Sequence, residues 1–250
     1  MNRIKTNVAT LLLVTGMVAG LAWLNWAFVP SRAAAEQKKE KVATEKKLDA
    51  VHSANAAKQD IGIQDPAKPV GDGRPEEAPA VFKVKMDTTK GEVLVEVHKD
   101  WAPLGAQRFY ELVRRGFFTD IRIFRMVPGF VAQFGISGNP NVAGVWLDRN
   151  IQDDPVKETN SKGTITFAMG GPNTRTTQIF INLADNGKLD SMGFAPFAKI
   201  TQGMQAVESW NSKYTEQPTK MQENMQMQGN AFLDQAFPGL DSIKSATIVE

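Results

Sequence analysis

Two apolar runs meet at a proline-glycine pair in IRIFRMVPGFVAQFG, Ile121–Gly135. Each run is short and rich in branched or aromatic residues, and Pro128-Gly129 supplies a tight turn between them, so the stretch reads as two antiparallel strands. Side chains alternate along a strand, which sets Arg125 on one side with Ile121, Ile123 and Val127. A guanidinium stays charged at any accessible pH and is costly to bury unpaired. Arg125 is therefore either paired with a carboxylate for structure or kept for chemistry.

The same texture runs through the chain from Val81. VFKVKMDTT and EVLVEV alternate on either side of a Lys-Gly turn and predict a hairpin. TITFAM, QIFINLA, FAPFAKI and KSATIV predict further strands. APLGAQRFYELVRRGF has Pro103 in its first turn, Phe109, Leu112 and Val113 on one face and Gly116 near its end, the marks of an amphipathic helix. MQAVESWN predicts a second helix, and QGNAF with FPGLDSI points to a short helix and a turn within the polar segment 213–241. Strands without βαβ alternation predict an all-β dominated domain. The expected form is a closed eight-stranded antiparallel β-barrel capped by two α-helices, with a two-sheet sandwich as the alternative.

Before Val81 the character changes. Arg3 and Lys5 precede an apolar run, Val8–Val29, and Ala33 and Ala35 stand where a signal peptidase would read them. Residues 1–35 thus predict an export signal, either cleaved after Ala35 or kept as an anchor through residues 8–29. Both variants put the remainder in the periplasm or cell envelope. Residues 36–80 are rich in Lys, Glu, Pro and Gly and predict a solvated tether, leaving 81–250 as the folded domain.

Of the 250 residues, 42% are hydrophobic and the net charge is +2, which supports a packed core and shows no nucleic-acid footprint. The absence of cysteine excludes disulfides, thiolate metal sites and a cysteine nucleophile. The two histidines, His52 and His98, lack a second ligand at metal-binding spacing, and no P-loop, dinucleotide fingerprint or G-x-S-x-G is present. The adjacent carboxylates Asp153 and Asp154 fall in an irregular stretch and read as a solvated turn.

Taken with FRMVPGFVAQFG and LDSMGFAPF, the segment TFAMGGPNTRTTQIFIN resembles the cyclophilins, a family of peptidyl-prolyl cis-trans isomerases, over about Val81 to Val249. The resemblance implies that Arg125 is the catalytic arginine, accompanied by Gln133. It implies a proline pocket built from Phe130, Val131, Ala168, Met169, Gln178, Phe180, Leu189 and Phe194. Met169 replaces a frequent asparagine, Phe194 a frequent histidine, and Lys188 the tryptophan of cyclosporin-sensitive members. It further implies isomerisation of X-Pro bonds in proline-containing polypeptides by a monomer, without cofactor or metal. A non-catalytic holder of proline-containing segments on the same barrel is the alternative, and a third reading places the function in the tether and the long segment 213–241, with the barrel as a docking domain.

Overall fold

The computed structural model describes residues 76–249; the export segment and most of the tether lie outside the described residues. The expected hairpin forms as β1 (Val81–Thr88) and β2 (Gly91–His98), paired from Val81 with His98 to Thr88 with Gly91. Its alternation turns Phe82, Val84, Met86, Val93, Val95 and Val97 inward. IRIFRMV, by contrast, divides into β3 (Ile121–Arg122) and β4 (Arg125–Val127). Strands β5 (Val131–Phe134), β6 (Thr164–Phe167), β7 (Ile179–Asn182), β8 (Pro196–Gln202) and β9 (Ser242–Val249) complete one antiparallel sheet. Its order is β3-β9-β1-β2-β8-β6-β7-β5-β4.

The two ends of that order are consecutive in the chain. Ile121 and Arg122 pair with Ile243 and Ser242, while Arg125–Val127 pair with Val131–Gln133. Between them Ile123 donates its N–H to the Asp241 carbonyl (2.9 Å), and Phe124 leaves the main core for a second cluster with Ile136, Met225, Leu233 and Phe237. The closed eight-stranded barrel is therefore corrected to a strongly curled nine-stranded sheet whose end strands touch through the chain and share no ladder.

The described residues hold four helices: α1 (Pro103–Arg114) and α3 (Met204–Glu208) as the expected pair, α4 (Gln222–Ala236) around the short helix expected at QGNAF, and α2 (Pro140–Trp146), which was not expected. Two 3-10 turns join them, Gly187–Met192 and Gln217–Met221. Helix α1 buries Phe109, Leu112 and Val113, and Phe109 meets the rings of Phe118 and Phe197 at 5.4 and 5.1 Å. Aromatic rings thus join the Val, Ile, Leu, Met and Ala side chains of the main core.

Ala102 offers α1 no side-chain cap. The cap comes from Asp154, whose carboxylate accepts the N–H of Leu104 (2.9 Å) and of Gly105 (2.8 Å). Arg175 donates to the same carboxylate at 3.0 Å, and both side chains are buried, 4% and 3% exposed. The solvated-turn reading of Asp154 is corrected accordingly: the residue is a buried anchor. Its neighbour Asp153, more exposed, lies 3.3 Å from Arg175 Nε without hydrogen-bond geometry.

Two further contacts fix outlying segments. Glu76–Ala80, the end of the expected tether, lies on the domain: Ala78 is buried and donates its N–H to Gln107 (2.8 Å), and Tyr110 donates its hydroxyl to Glu76 (2.8 Å). Helix α4 breaks at Gly229 (φ +61), where a Cβ would collide with the carbonyl of Gly138. Asn230 follows, donating its main-chain N–H to that carbonyl (3.0 Å) and its side-chain amide to Asp120 (2.8 Å to the carbonyl, 2.9 Å to Oδ2). A Cβ on Gly138 would in turn strike the Asn230 side chain.

Candidate active site

The β4–β5 hairpin decides what Arg125 meets. Its register sets Arg125 opposite Gln133 and Val127 opposite Val131, with Pro128–Phe130 as the turn. Directly opposed side chains lie within reach, and Arg125 Nη1 donates to Gln133 Oε1 at 3.1 Å. Gln133 Nε2 donates to Gln178 Oε1 (3.0 Å), and Gln178 Nε2 to Gln222 Oε1 (3.0 Å). A polar relay thus runs from the guanidinium across β5 and β7 to the start of α4.

Beside the relay lies an apolar wall. Val131, Phe180 and Leu189 form a buried cluster on which Phe130, Ala168 and Phe194 pack. Phe180 and Phe194 meet edge to face at 5.7 Å. Together with Arg125, Gln133 and Met169 these residues line a cavity of about 320 Å³. Arg125 lies over the Phe130 ring at 5.4 Å, its side chain 22% exposed, and Lys188 Nζ lies 5.3 Å from the same ring. A second groove of about 600 Å³ shares Met169 and Phe194 and continues past Pro172 and Met192.

The structure brings together all ten residues singled out in the sequence, Gln178 through its bond to Gln133 rather than as lining. Three others escaped the sequence reading: Glu216, Thr219 and Gln222. Glu216 Oε1 accepts from both Nε (3.1 Å) and Nη2 of Arg125, and Thr219 and Gln222 line the cavity. All three come from 213–241, and nothing in the spacing of TEQPTKMQ marks them, since their partners lie about ninety residues earlier for Glu216 and about forty for Gln222.

A buried asparagine network backs the wall and was also missed. Asn186 donates to the Phe130 carbonyl (2.9 Å) and to Asn182, while Asn160 donates to the Phe194 carbonyl (2.8 Å) and to Asp190 (2.7 Å). Desolvation works to raise the pKa of the Asp190 carboxyl, but hydrogen bonds from Thr159 and Asn160 outweigh it and hold the group below its ordinary 3.8. These bonds position the main chain on both sides of the cavity.

An always-charged donor on the lip of a cavity with one apolar wall can bind a small apolar ring and place positive charge beside it. Comparison with known proteins agrees. The model for the cyclophilin-type peptidyl-prolyl cis-trans isomerases matches residues 83–230. The chain is 31% identical over 126 residues to the peptidyl-prolyl cis-trans isomerase ppi1 of Schizosaccharomyces pombe, spanning 48% of this chain and 79% of that one. It is 29% identical over 140 residues to a peptidyl-prolyl cis-trans isomerase of Acinetobacter baylyi, spanning 50% and 69%. The crystal structure of a cyclophilin-type isomerase from Cryptosporidium parvum shares the fold, with TM-score 0.51 and 19% identity over 68% of this chain and 98% of that one. A second structure of that protein, determined in the presence of the dipeptide Ala-Pro, matches with TM-score 0.51 and 19% identity over 67% and 99%. With more than half of its length, both strands of the Arg125 hairpin included, matched by one family model, the chain belongs to the cyclophilin-type peptidyl-prolyl cis-trans isomerases.

Proposed function

We propose that Arg125 is the catalytic group for X-Pro isomerisation in this chain, and that the cavity floored by Phe130 and walled by Phe180, Leu189 and Phe194 receives the proline ring. The observation that carries this reading is the guanidinium over the Phe130 ring at the rim of a cavity with an apolar wall, with Gln133 fixing one terminal nitrogen. Rotation about an X-Pro bond is slow because amide resonance must be broken, at a barrier of ~18–20 kcal/mol. In the twisted transition state the proline nitrogen regains its lone pair. A fixed cation beside that nitrogen stabilises the twisted form more than either planar isomer, and this difference is what accelerates the step. The aromatic wall excludes water, so the charge acts at lower dielectric than in bulk. Gln133 holds the guanidinium and is itself held by Gln178.

The substrates in this reading are proline-containing segments of polypeptides outside the cytoplasm, met by a monomer. The support for export is the basic–apolar–A-x-A order of residues 1–35. Mass spectrometry of the mature N-terminus in the native host checks it: a start at Glu36 or a membrane-bound full chain agrees, and a soluble cytoplasmic full chain refutes it. For catalysis the test is Arg125→Ala. Isomerisation of a short X-Pro peptide should slow by ~10²–10³-fold, as for loss of one preorganised donor, with peptide affinity and thermal midpoint little changed. Near-normal turnover in a destabilised protein would instead make Arg125 a structural ion-pair residue.

A further inference from the structure

We infer that Glu216 is a positioning residue for Arg125, delivered to the active site by the segment between α3 and β9. The inference rests on the catalytic reading of Arg125. A guanidinium has five N–H donors. Nε and Nη2 each give one to Glu216 Oε1, and Nη1 gives one to Gln133 Oε1. One N–H therefore remains on each terminal nitrogen. Held along one edge by a carboxylate and at one terminal nitrogen by an amide, with Phe130 beneath, the group cannot turn freely, yet it keeps two donors for an incoming peptide. That is the arrangement of a clamp rather than a plug. It removes the rotamer freedom of a long side chain before substrate arrives, which is the contribution preorganisation makes to rate.

Glu216 is itself held. The Thr215 carbonyl accepts the N–H of Met126, the residue after Arg125, at 3.3 Å, so the segment is laced to β4 at the point where its carboxylate is needed. Thr215 has φ +47, a left-handed conformation that a β-branched residue adopts only under constraint from its surroundings. On its other side the Thr219 hydroxyl donates to the Glu216 carbonyl (2.6 Å), Gln217 N–H donates to the Tyr214 carbonyl (2.9 Å), and Pro218 is buried. Tyr214 packs on Phe237 at 5.3 Å and donates its hydroxyl to the Pro238 carbonyl (2.9 Å). Glu216 thus stands on a strained, well-bonded turn that the second apolar cluster ties to the sheet. Its side chain is 53% exposed, so water screens its charge and the field of Arg125 on the cavity side is only partly offset.

The test compares Glu216→Ala, Glu216→Gln, Arg125→Ala and the double alanine variant in the full-length chain. Readouts are catalysed isomerisation of an X-Pro peptide, with kcat and KM separated, peptide affinity by titration, and thermal midpoint. Glu216→Ala should lower kcat roughly tenfold to a hundredfold, the scale of a misplaced catalytic group, with peptide affinity and midpoint nearly unchanged. Glu216→Gln should recover most of that loss, because its amide oxygen still accepts both N–H groups. In the Arg125→Ala background, Glu216→Ala should change nothing further. Unchanged or faster turnover in Glu216→Ala would overturn the inference, the latter by making the carboxylate a competitor of the substrate. A further loss in the Arg125→Ala background, a loss tracking a fallen midpoint, or a Glu216→Gln variant as slow as Glu216→Ala would overturn it too. Normal turnover in Arg125→Ala would remove the catalytic reading beneath it.

Discussion

Replacing Asp154 by alanine tests how far stability here depends on one buried charge. The carboxylate accepts two main-chain N–H groups of the first turn of α1 and pairs with Arg175, whose side chain is 4% exposed. Deleting one partner of a buried pair typically costs ~3–5 kcal/mol, because the other charge stays behind. Arg175 keeps the Gln152 carbonyl and has Asp153 Oδ1 at 3.3 Å, which puts the expectation at the lower end, about 3 kcal/mol. In a domain of this size that corresponds to a midpoint lowered by about 6–12 °C. Asp154→Asn should cost less, since an amide oxygen still caps α1 while the ion pair is lost. Thermal and urea unfolding give the numbers, and turnover measured well below the midpoint should stay within about twofold, because Asp154 lies outside the proline cavity. A midpoint moved by less than about 2 °C would refute the reasoning and mean that the Asp154 site readily admits water.

Asp190 predicts an acid limb. Its carboxyl is held below 3.8 when folded, so the stability it contributes is present above that value and is lost as pH falls through the lower, folded one. Asp190→Asn should flatten the stability profile below about pH 4, read from urea midpoints against pH, and an unchanged profile would refute the assignment. A chain beginning at Val81 should lose the Ala78–Gln107 and Tyr110–Glu76 bonds and about 1–2 kcal/mol, whereas one beginning at Glu76 should match the full chain. Coincident urea midpoints for the two truncations would show that these bonds contribute nothing.

What the sequence made legible was local. Alternation in VFKVKMDTT and the face of Phe109, Leu112 and Val113 are properties of a few consecutive residues, and both elements form as expected. The ten candidate residues, nine of which line the cavity, stand together because ordered motifs carry them, and strand register then brings Arg125 to Gln133. The division of IRIFRMV could not be read, because both halves alternate equally well and what separates them is the distant partner of the first half, Ile243, while the second half pairs locally with Val131–Gln133. Asp154 and Glu216 failed for a related reason. A carboxylate in a polar run is read as solvated until the arginine it meets is known, and those arginines stand 21 and 91 residues away.

The Gly138 carbonyl fills the space that the missing Cβ of Gly229 leaves open, the Asn230 side chain fills the space beside Gly138, and this decides whether the active-site segment can travel. The receiving surface belongs to the curled sheet and its loops: Gly138 for the helix break, Asp120 for the Asn230 amide, Phe124 and Ile136 for the apolar face of α4. Moved onto a barrel with any side chain at the position of Gly138, residues 213–241 would meet a steric bar at the break in α4, and the turn bearing Glu216 would lose its support. A loop donated to a new host usually needs only its two ends to fit. This one needs a socket as well, so a graft of residues 213–241 should hold only on a host that carries a glycine at the position of Gly138.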